Sequence, residues 1–260
     1  MRTFLSDIEQ HEIFSPIRGR RYALSVVLPD GYGSSDKRYP VIYVLDGDVI
    51  LGMVASLTGV AAWTGEVGER ITVCVGYGAD SYDEWADLRE VDLAFPGAMV
   101  GALADPARRP QPEVFLAALT DDIVPFVDDT YRTDPGDRSL YGYSWGGFFV
   151  LYALLQRSQT FHRYLSGGGF IDLTMGYLCH QAQLVKDSGR GLAARVFVGM
   201  SEREAPSCVA AMHEFVGTLT AAGGEDFRLV GEVYPTEGHN AAAIALTYLH
   251  GLRSVFAANT

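Results

Sequence analysis

Short apolar runs of strand length, separated by segments of helical periodicity, narrow the folds open to this chain more than any other feature. Residues 40–46 and 71–75 are continuous apolar runs, as expected of strands buried on both faces. Residues 21–28 alternate, carry β-branched side chains and stop at Pro29 before a turn rich in Gly, Ser and Asp. Further short strands are predicted at 138–141, 164–166, 194–198 and 227–234. Helical patterns cover 47–63, 112–127, 145–155, 171–186, 206–222 and 241–256. Alternation of this kind predicts an α/β fold, a mostly parallel central sheet with helices on both faces. Residues 76–111 are polar, bear Gly and Pro, and are too long for an ordinary connection. They are expected to form a substrate-facing loop region.

A chain of 260 residues can bury one large core. It contains no Pro/Ser-rich or charge-rich linker, so a single domain over residues 1–260 is expected. The formal net charge of −12 repels phosphate backbones and argues against a nucleic-acid partner. No apolar stretch is long enough for a bilayer, and residues 1–10 lack the pattern of a signal peptide. A cytoplasmic protein without a membrane partner is the expectation. The three cysteines, Cys74, Cys179 and Cys208, have no metal-ligand spacing. Cys74, inside an apolar run, is expected to be a buried free thiol, and reduced thiols fit the cytoplasm.

The chemistry begins at Gly142-Tyr143-Ser144-Trp145-Gly146-Gly147, a match to G-x-S-x-G. A glycine-rich chain can show that pattern by chance, so its context decides. A predicted strand runs directly into it and an apolar helix runs directly out. That arrangement is the nucleophile elbow, in which a serine sits on a sharp strand-to-helix turn and glycines let backbone approach closely. The helix N-terminus then offers free N–H groups to a developing oxyanion. Ser144 is the candidate nucleophile and the Trp145 N–H one oxyanion donor. The second donor is expected after an earlier strand, in Asp46-Gly47-Asp48, where Gly47 frees the turn and the Asp48 N–H points inward.

A serine hydroxyl needs a general base. Of six histidines, His213 and His250 sit inside helical patterns, His162 and His180 lie near helix ends, and His11 falls in the N-terminal arm. His239 follows the last strand, in Pro235-Thr236-Glu237-Gly238-His239-Asn240, just before the final helix. The chain order Ser…acid…His places the base on that late loop. The acid should follow the strand between them, which exits through Gly199-Met200-Ser201-Glu202-Arg203-Glu204. Either glutamate can orient an imidazole and stabilise its cation. Glu202 is preferred over Glu204, on position in the chain alone.

Taken in order, these segments resemble the esterase family related to siderophore (enterobactin-type) esterases, S-formylglutathione hydrolase and the mycolyltransferases. The resemblance rests on Tyr39-Pro40-Val41-Ile42-Tyr43-Val44-Leu45-Asp46-Gly47 and on Phe126-Val127-Asp128-Asp129-Thr130-Tyr131-Arg132 leading to the serine motif. Val198-Gly199-Met200-Ser201-Glu202 and Glu237-Gly238-His239 complete it. It implies an α/β-hydrolase fold, the triad Ser144, Glu202 and His239, and oxyanion donation from Asp48 and Trp145. Glu202 is favoured because Gly199-Met200-Ser201-Glu202 has the family's G-x-x-E spacing. Arg89-Glu90-Val91-Asp92-Leu93 looks like the family's Arg…Asp-Leu motif, although Ala94-Phe95-Pro96 follows where Thr-Pro is common. Arg89 and Tyr143 are the candidate substrate contacts. The implied activity is hydrolysis of a small-molecule carboxylic ester or lactone through an acyl-enzyme, without metal or organic cofactor. The alternative is an acyltransferase with the same triad. A net charge of −12 runs against a large anionic catecholate lactone, unless Arg89, Arg108 and Arg109 form a local basic patch. Oligomeric state is left open.

Overall fold

The computed structural model describes residues 8–95, 109–169, 174–189 and 191–256. Among them, strands and helices alternate into an α/β fold with a mostly parallel sheet of eight strands. The chain divides into two compact units, residues 1–139 and 140–260. The boundary falls inside strand β5 (Thr133–Tyr143) rather than in a linker.

In the first unit, β1 (Ile8–Ser15) and β2 (Arg20–Val27) form an antiparallel hairpin in the register Ile8↔Val27 to Ser15↔Arg20. Gly19 closes it at φ +71, where its N–H donates to the Ser15 carbonyl at 2.8 Å. β2 pairs antiparallel with β4 (Ile71–Gly76), and β4 pairs parallel with β3 (Tyr39–Val44). Every residue of β4 is buried, as is every residue of β3 but Pro40. That burial explains their unbroken apolar sequences. Strand β1 differs from the expected N-terminal arm. Its Ile-Glu-Gln-His-Glu-Ile-Phe-Ser sequence buries only Ile13 and Ser15. Such polarity is how an edge strand protects itself, and it hides the strand from a reading based on hydrophobicity. His11 lies on β1, with Nε2 2.5 Å from the Tyr131 hydroxyl.

Helix α1 (Gly47–Trp63) follows β3 as expected. The segment 76–111 departs from the expected loop, because α2 (Tyr82–Leu93) occupies its centre. Ser81 caps α2: its Oγ accepts the Glu84 N–H at 3.1 Å, and Glu84 Oε2 reaches back to the Asp80 N–H at 2.9 Å. Ser-x-x-Glu is a helix-start signal legible in the sequence. Residues 96–108 of the expected loop, Arg108 included, lie outside the described residues. Helices α3 (Pro112–Ala118) and α4 (Val124–Thr130) are joined by a π-helical turn, Leu119–Ile123. Pro125 cannot donate to the carbonyl four residues back, which accounts for the local widening.

In the second unit, β5 enters α5 (Trp145–Gln156), and β6 (Arg163–Gly167), β7 (Arg195–Ser201) and β8 (Arg228–Tyr234) pair parallel in that order. Helices α7 (Pro206–Ala222) and α8 (Ala241–Phe256) occur where the periodicity placed them, whereas α6 (Met175–Asp187) begins four residues later than the expected 171–186, of which 171–173 lie outside the described residues. Residues 145–155 of α5 are all buried, which is why that helix is apolar on every side. No helix of the described residues is long and apolar enough to cross a membrane. Cys74, Cys179 and Cys208 are free thiols. Burial pushes the Cys74 thiol up to about 12, so it stays protonated and unreactive.

Candidate active site

Ser144 sits at the turn between β5 and α5 with φ +61 and ψ −123, a conformation rarely held by a residue with a side chain. The surroundings hold it there. Its N–H donates to the Gly167 carbonyl at 2.8 Å, and its own carbonyl accepts the Phe148 N–H at 2.9 Å. A Cβ on Gly142 would lie 2.4 Å from the Gly146 oxygen, and one on Gly147 would lie 2.2 Å from the Gly167 oxygen. These glycines are what allow so sharp a turn. From Ser139 to Leu155, Ser144 is the one residue that is not buried. As residue N1 of α5, Trp145 carries an N–H with no partner inside the helix. Gly142→Ala is expected to destabilise the protein by about 3 kcal/mol through overpacking, read as a lowered denaturant midpoint.

The loop between β8 and α8 carries His239. Thr236 turns it at φ +78, Asn240 caps α8 by accepting the Ala243 N–H at 3.0 Å, and Asn240 Nδ2 donates to Glu237 at 3.1 Å. The Arg203 N–H donates to the Glu237 carbonyl at 3.0 Å, tying the exit of β7 to this loop. Gly168, at φ +56, lies where a Cβ would be 3.2 Å from His239 Cε1. Its neighbour Gly167 accepts the Ser144 N–H, so the serine turn and the imidazole flank one short segment at the end of β6. The other five histidines have other settings. His162, His180 and His213 are exposed. His11 pairs with Tyr131, and His250 Nδ1 lies 2.7 Å from Glu232.

Of the two candidate acids, Glu204 rather than the preferred Glu202 is the one beside the imidazole. Glu204 Oε1 lies 3.4 Å from His239 Nδ1, and its side chain is only 9% exposed. Glu202 is exposed. The cause is strand geometry: the Glu202 N–H still donates to the Tyr234 carbonyl, extending the β7–β8 ladder by one residue. Alternation then buries Ser201 and turns Glu202 outward. A turn follows, closed by the Glu204 N–H on the Ser201 carbonyl at 3.2 Å, and it carries Glu204 back toward the imidazole. Spacing from Gly199 could not reveal that turn.

Arg89 and Tyr143 also have different surroundings from those of open substrate contacts. The Arg89 guanidinium grips the Asp46 carboxylate at both oxygens, Nε to Oδ1 and NH2 to Oδ2, each at 2.8 Å. Both side chains are nearly buried, at 11% and 8% exposure, and the guanidinium also lies over the Trp85 ring. Asp46 is the N-cap of α1 and adopts φ +58. Gly47 passes so close to Cys74 and Val75 that a Cβ would sit 2.9 Å from the Cys74 carbonyl carbon. Asp48, exposed in the first turn, accepts the Tyr77 and Gly78 N–H groups at 2.7 and 3.0 Å. In the same Arg89-to-Leu93 motif, Asp92 is fully buried and receives Arg18, Arg20 and the Tyr22 hydroxyl. The motif therefore anchors α2 to the loop after β3 and to β2. Arg109 is exposed. Arg89→Met would leave Asp46 buried without its partner, and a loss of about 3 kcal/mol in unfolding free energy is expected. Chemical denaturation of the variant measures it directly. Tyr143 is buried beneath His239, with ring centroids 4.9 Å apart.

Comparison with known proteins adds a family. The profile of the family described as "Putative esterase" matches residues 15–216. Ferri-bacillibactin esterase BesA of Bacillus subtilis is 29% identical over 135 residues, half of this chain and 47% of its own length. The siderophore triacetylfusarinine C esterase of Aspergillus fumigatus is 28% identical over 173 residues, 64% of this chain and 57% of its own. The chain thus spans about half the length of these curated relatives. Among solved structures, the BES protein from Bacillus cereus aligns over 99% of this chain and 98% of its own, with a TM-score of 0.82 at 20% identity. Siderophore hydrolase EstB from Aspergillus nidulans aligns over 98% and 96%, with a TM-score of 0.79 at 18% identity. At such identities these structures bear on the fold alone, and the fold agrees.

Proposed function

On the premise that this chain belongs to the esterase family, we propose that it is a serine hydrolase that cleaves a carboxylic ester or lactone through an acyl-enzyme on Ser144. The observation that carries this reading is the conformation of Ser144, held at φ +61 in a turn whose other residues are buried. A strained residue of this kind persists where the surroundings over-determine it, and such sites are commonly functional.

In the proposed reaction, His239 takes the Ser144 hydroxyl proton as Oγ attacks the acyl carbon. Glu204, facing Nδ1, holds the ring orientation and stabilises the imidazolium. The proton then passes to the departing alcohol. Water, activated by the same imidazole, releases the acid and restores the serine. The negative oxygen formed in each half is stabilised by N–H groups at helix starts. Trp145, as N1 of α5, supports one such donor. Asp48, in the first turn of α1, is retained as the second, supported by the way Asp46, Gly47 and Asp48 are each pinned in place. The chemistry assigned to these residues calls for no metal or organic cofactor.

Siderophore-type esters are the first substrate class to test, because the curated relatives are named for them. The cytoplasm remains the proposed compartment, supported by three free thiols. A fluorophosphonate should label Ser144 and no other residue, read by peptide mass spectrometry. A short p-nitrophenyl ester should then show a burst followed by turnover. Labelling elsewhere, or none, would overturn the assignment. Mass analysis of products with and without an added alcohol separates hydrolysis from acyl transfer.

A further inference from the structure

We propose that Tyr143, the residue before the nucleophile, is a positioning residue for both of its partners, its ring supporting His239 and its hydroxyl holding Glu204. This rests on the esterase reading above.

Three observations meet at this side chain. The ring lies against the imidazole, with centroids 4.9 Å apart and planes tilted by 49°. It fills the space that glycines leave open: a Cβ on Gly167 would lie 2.5 Å from Tyr143 Cδ2, and one on Gly168 would lie 3.1 Å from Cζ. The Tyr143 hydroxyl and Glu204 Oε1, which faces the same imidazole at 3.4 Å, are both buried and both lack a well-formed hydrogen bond among the described residues.

A substrate contact would need an open hydroxyl, whereas Tyr143 is 6% exposed. Burial first, and then the Glu204 charge, push its phenol pKa well up, so the group stays protonated. A protonated phenol beside a carboxylate can donate to it, and hydrogen bonds to charged acceptors are the stronger class. Further hydroxyls continue the cluster. Tyr234 and Thr247 lie next to one another, also buried and without a well-formed partner among the described residues. A Cβ on Gly199 would meet them at 2.7 and 2.8 Å. That gives a physical reason for glycine at the start of the Gly199-Met200-Ser201-Glu202 motif: it makes room for a polar floor under the acid and base. Among the described residues of that floor, Tyr143 is the one whose ring lies against the imidazole, and the Glu204 charge acts on its hydroxyl.

The test is a double-mutant cycle read as kcat and KM on a short p-nitrophenyl ester, and as the rate of Ser144 labelling by a fluorophosphonate. Rates are normalised to the number of titratable sites, so that partial misfolding lowers the site count and not the rate. Tyr143→Phe keeps the ring and removes the hydroxyl. It should lower kcat and the labelling rate about tenfold, the size expected for one hydrogen bond to a charged group. KM should stay within about twofold, since ground-state binding is untouched. In a Glu204→Gln background the same change should cost less than about twofold, because the acid through which it acts is gone. Tyr143→Leu, which also removes the ring, should cost more than Tyr143→Phe. A raised KM with kcat retained would make Tyr143 a substrate contact and overturn the proposal. Equal losses in both backgrounds, or no loss, would overturn it as well. Failure of wild-type Ser144 to label would instead sink the esterase reading, so the two failures are distinguishable.

Discussion

Ser144→Ala is expected to lower kcat for a short p-nitrophenyl ester by at least about 10⁴-fold and to abolish fluorophosphonate labelling. Losing the nucleophile of a serine hydrolase removes the covalent route, and what remains is binding and oxyanion stabilisation. Activity within about tenfold of wild type would end the assignment. The fold should survive, because the Ser144 side chain is partly open to solvent and the turn is held by backbone bonds and by Gly142 and Gly147. A second arm separates the backbone from the chemistry. Alanine inherits the strain at φ +61, whereas glycine does not. Ser144→Gly should be equally inactive and more stable than Ser144→Ala by about 1 kcal/mol, read from denaturant midpoints. Equal stability would mean that the turn is not strained at this residue.

Glu204→Gln is expected to lower kcat about 10³-fold, whereas Glu202→Gln should leave it within about twofold. A triad acid orients the imidazole and stabilises the cation that forms when the serine proton moves. A neutral amide keeps the shape and loses that charge. The acid sits 3.4 Å from Nδ1 and the imidazole is 44% exposed, so water screens part of the interaction and the loss should fall short of that in a fully enclosed triad. The paired result decides between the two glutamates. A large loss at Glu202 with a small one at Glu204 would return the acid to the position that the G-x-x-E spacing suggested.

Much of the fold was legible because burial and periodicity leave a direct mark on sequence. β3 and β4 read as apolar runs because they are covered on both faces, and the ends of α1, α7 and α8 fell where their apolar spacing began and stopped. What escaped was polar or irregular. β1 is an edge strand with few buried side chains. The first half of β5 runs through Asp134-Pro135-Gly136-Asp137, a composition that reads as a turn. α2 was missed although Ser81 and Glu84 announce its start, since the surrounding residues are mostly polar. The same pattern holds at the site. The positions of Ser144, at the turn from β5 into α5, and of His239, in the loop between β8 and α8, were legible from chain order, because each follows a predictable strand.

The surroundings of Glu204, Arg89 and Tyr143 were not legible, because they depend on contacts between segments far apart in the chain. Arg89 finds Asp46 across 43 residues, and Glu204 finds His239 across 35. Sequence by itself determined the α/β alternation, the strand–Ser144–helix turn and the late-loop histidine, since local periodicity, glycine placement and chain order suffice for these. Only the tertiary structure decided that Glu204 rather than Glu202 faces the imidazole, that Arg89 holds Asp46, and that Tyr143 lies beneath His239. For Glu204 and Tyr143 the physical reason is that a side chain's direction at the end of a strand is set by one further ladder bond or one tight turn, and a single-residue shift reverses it. For Arg89, on helix α2, it is that the partner carboxylate lies 43 residues away in the chain.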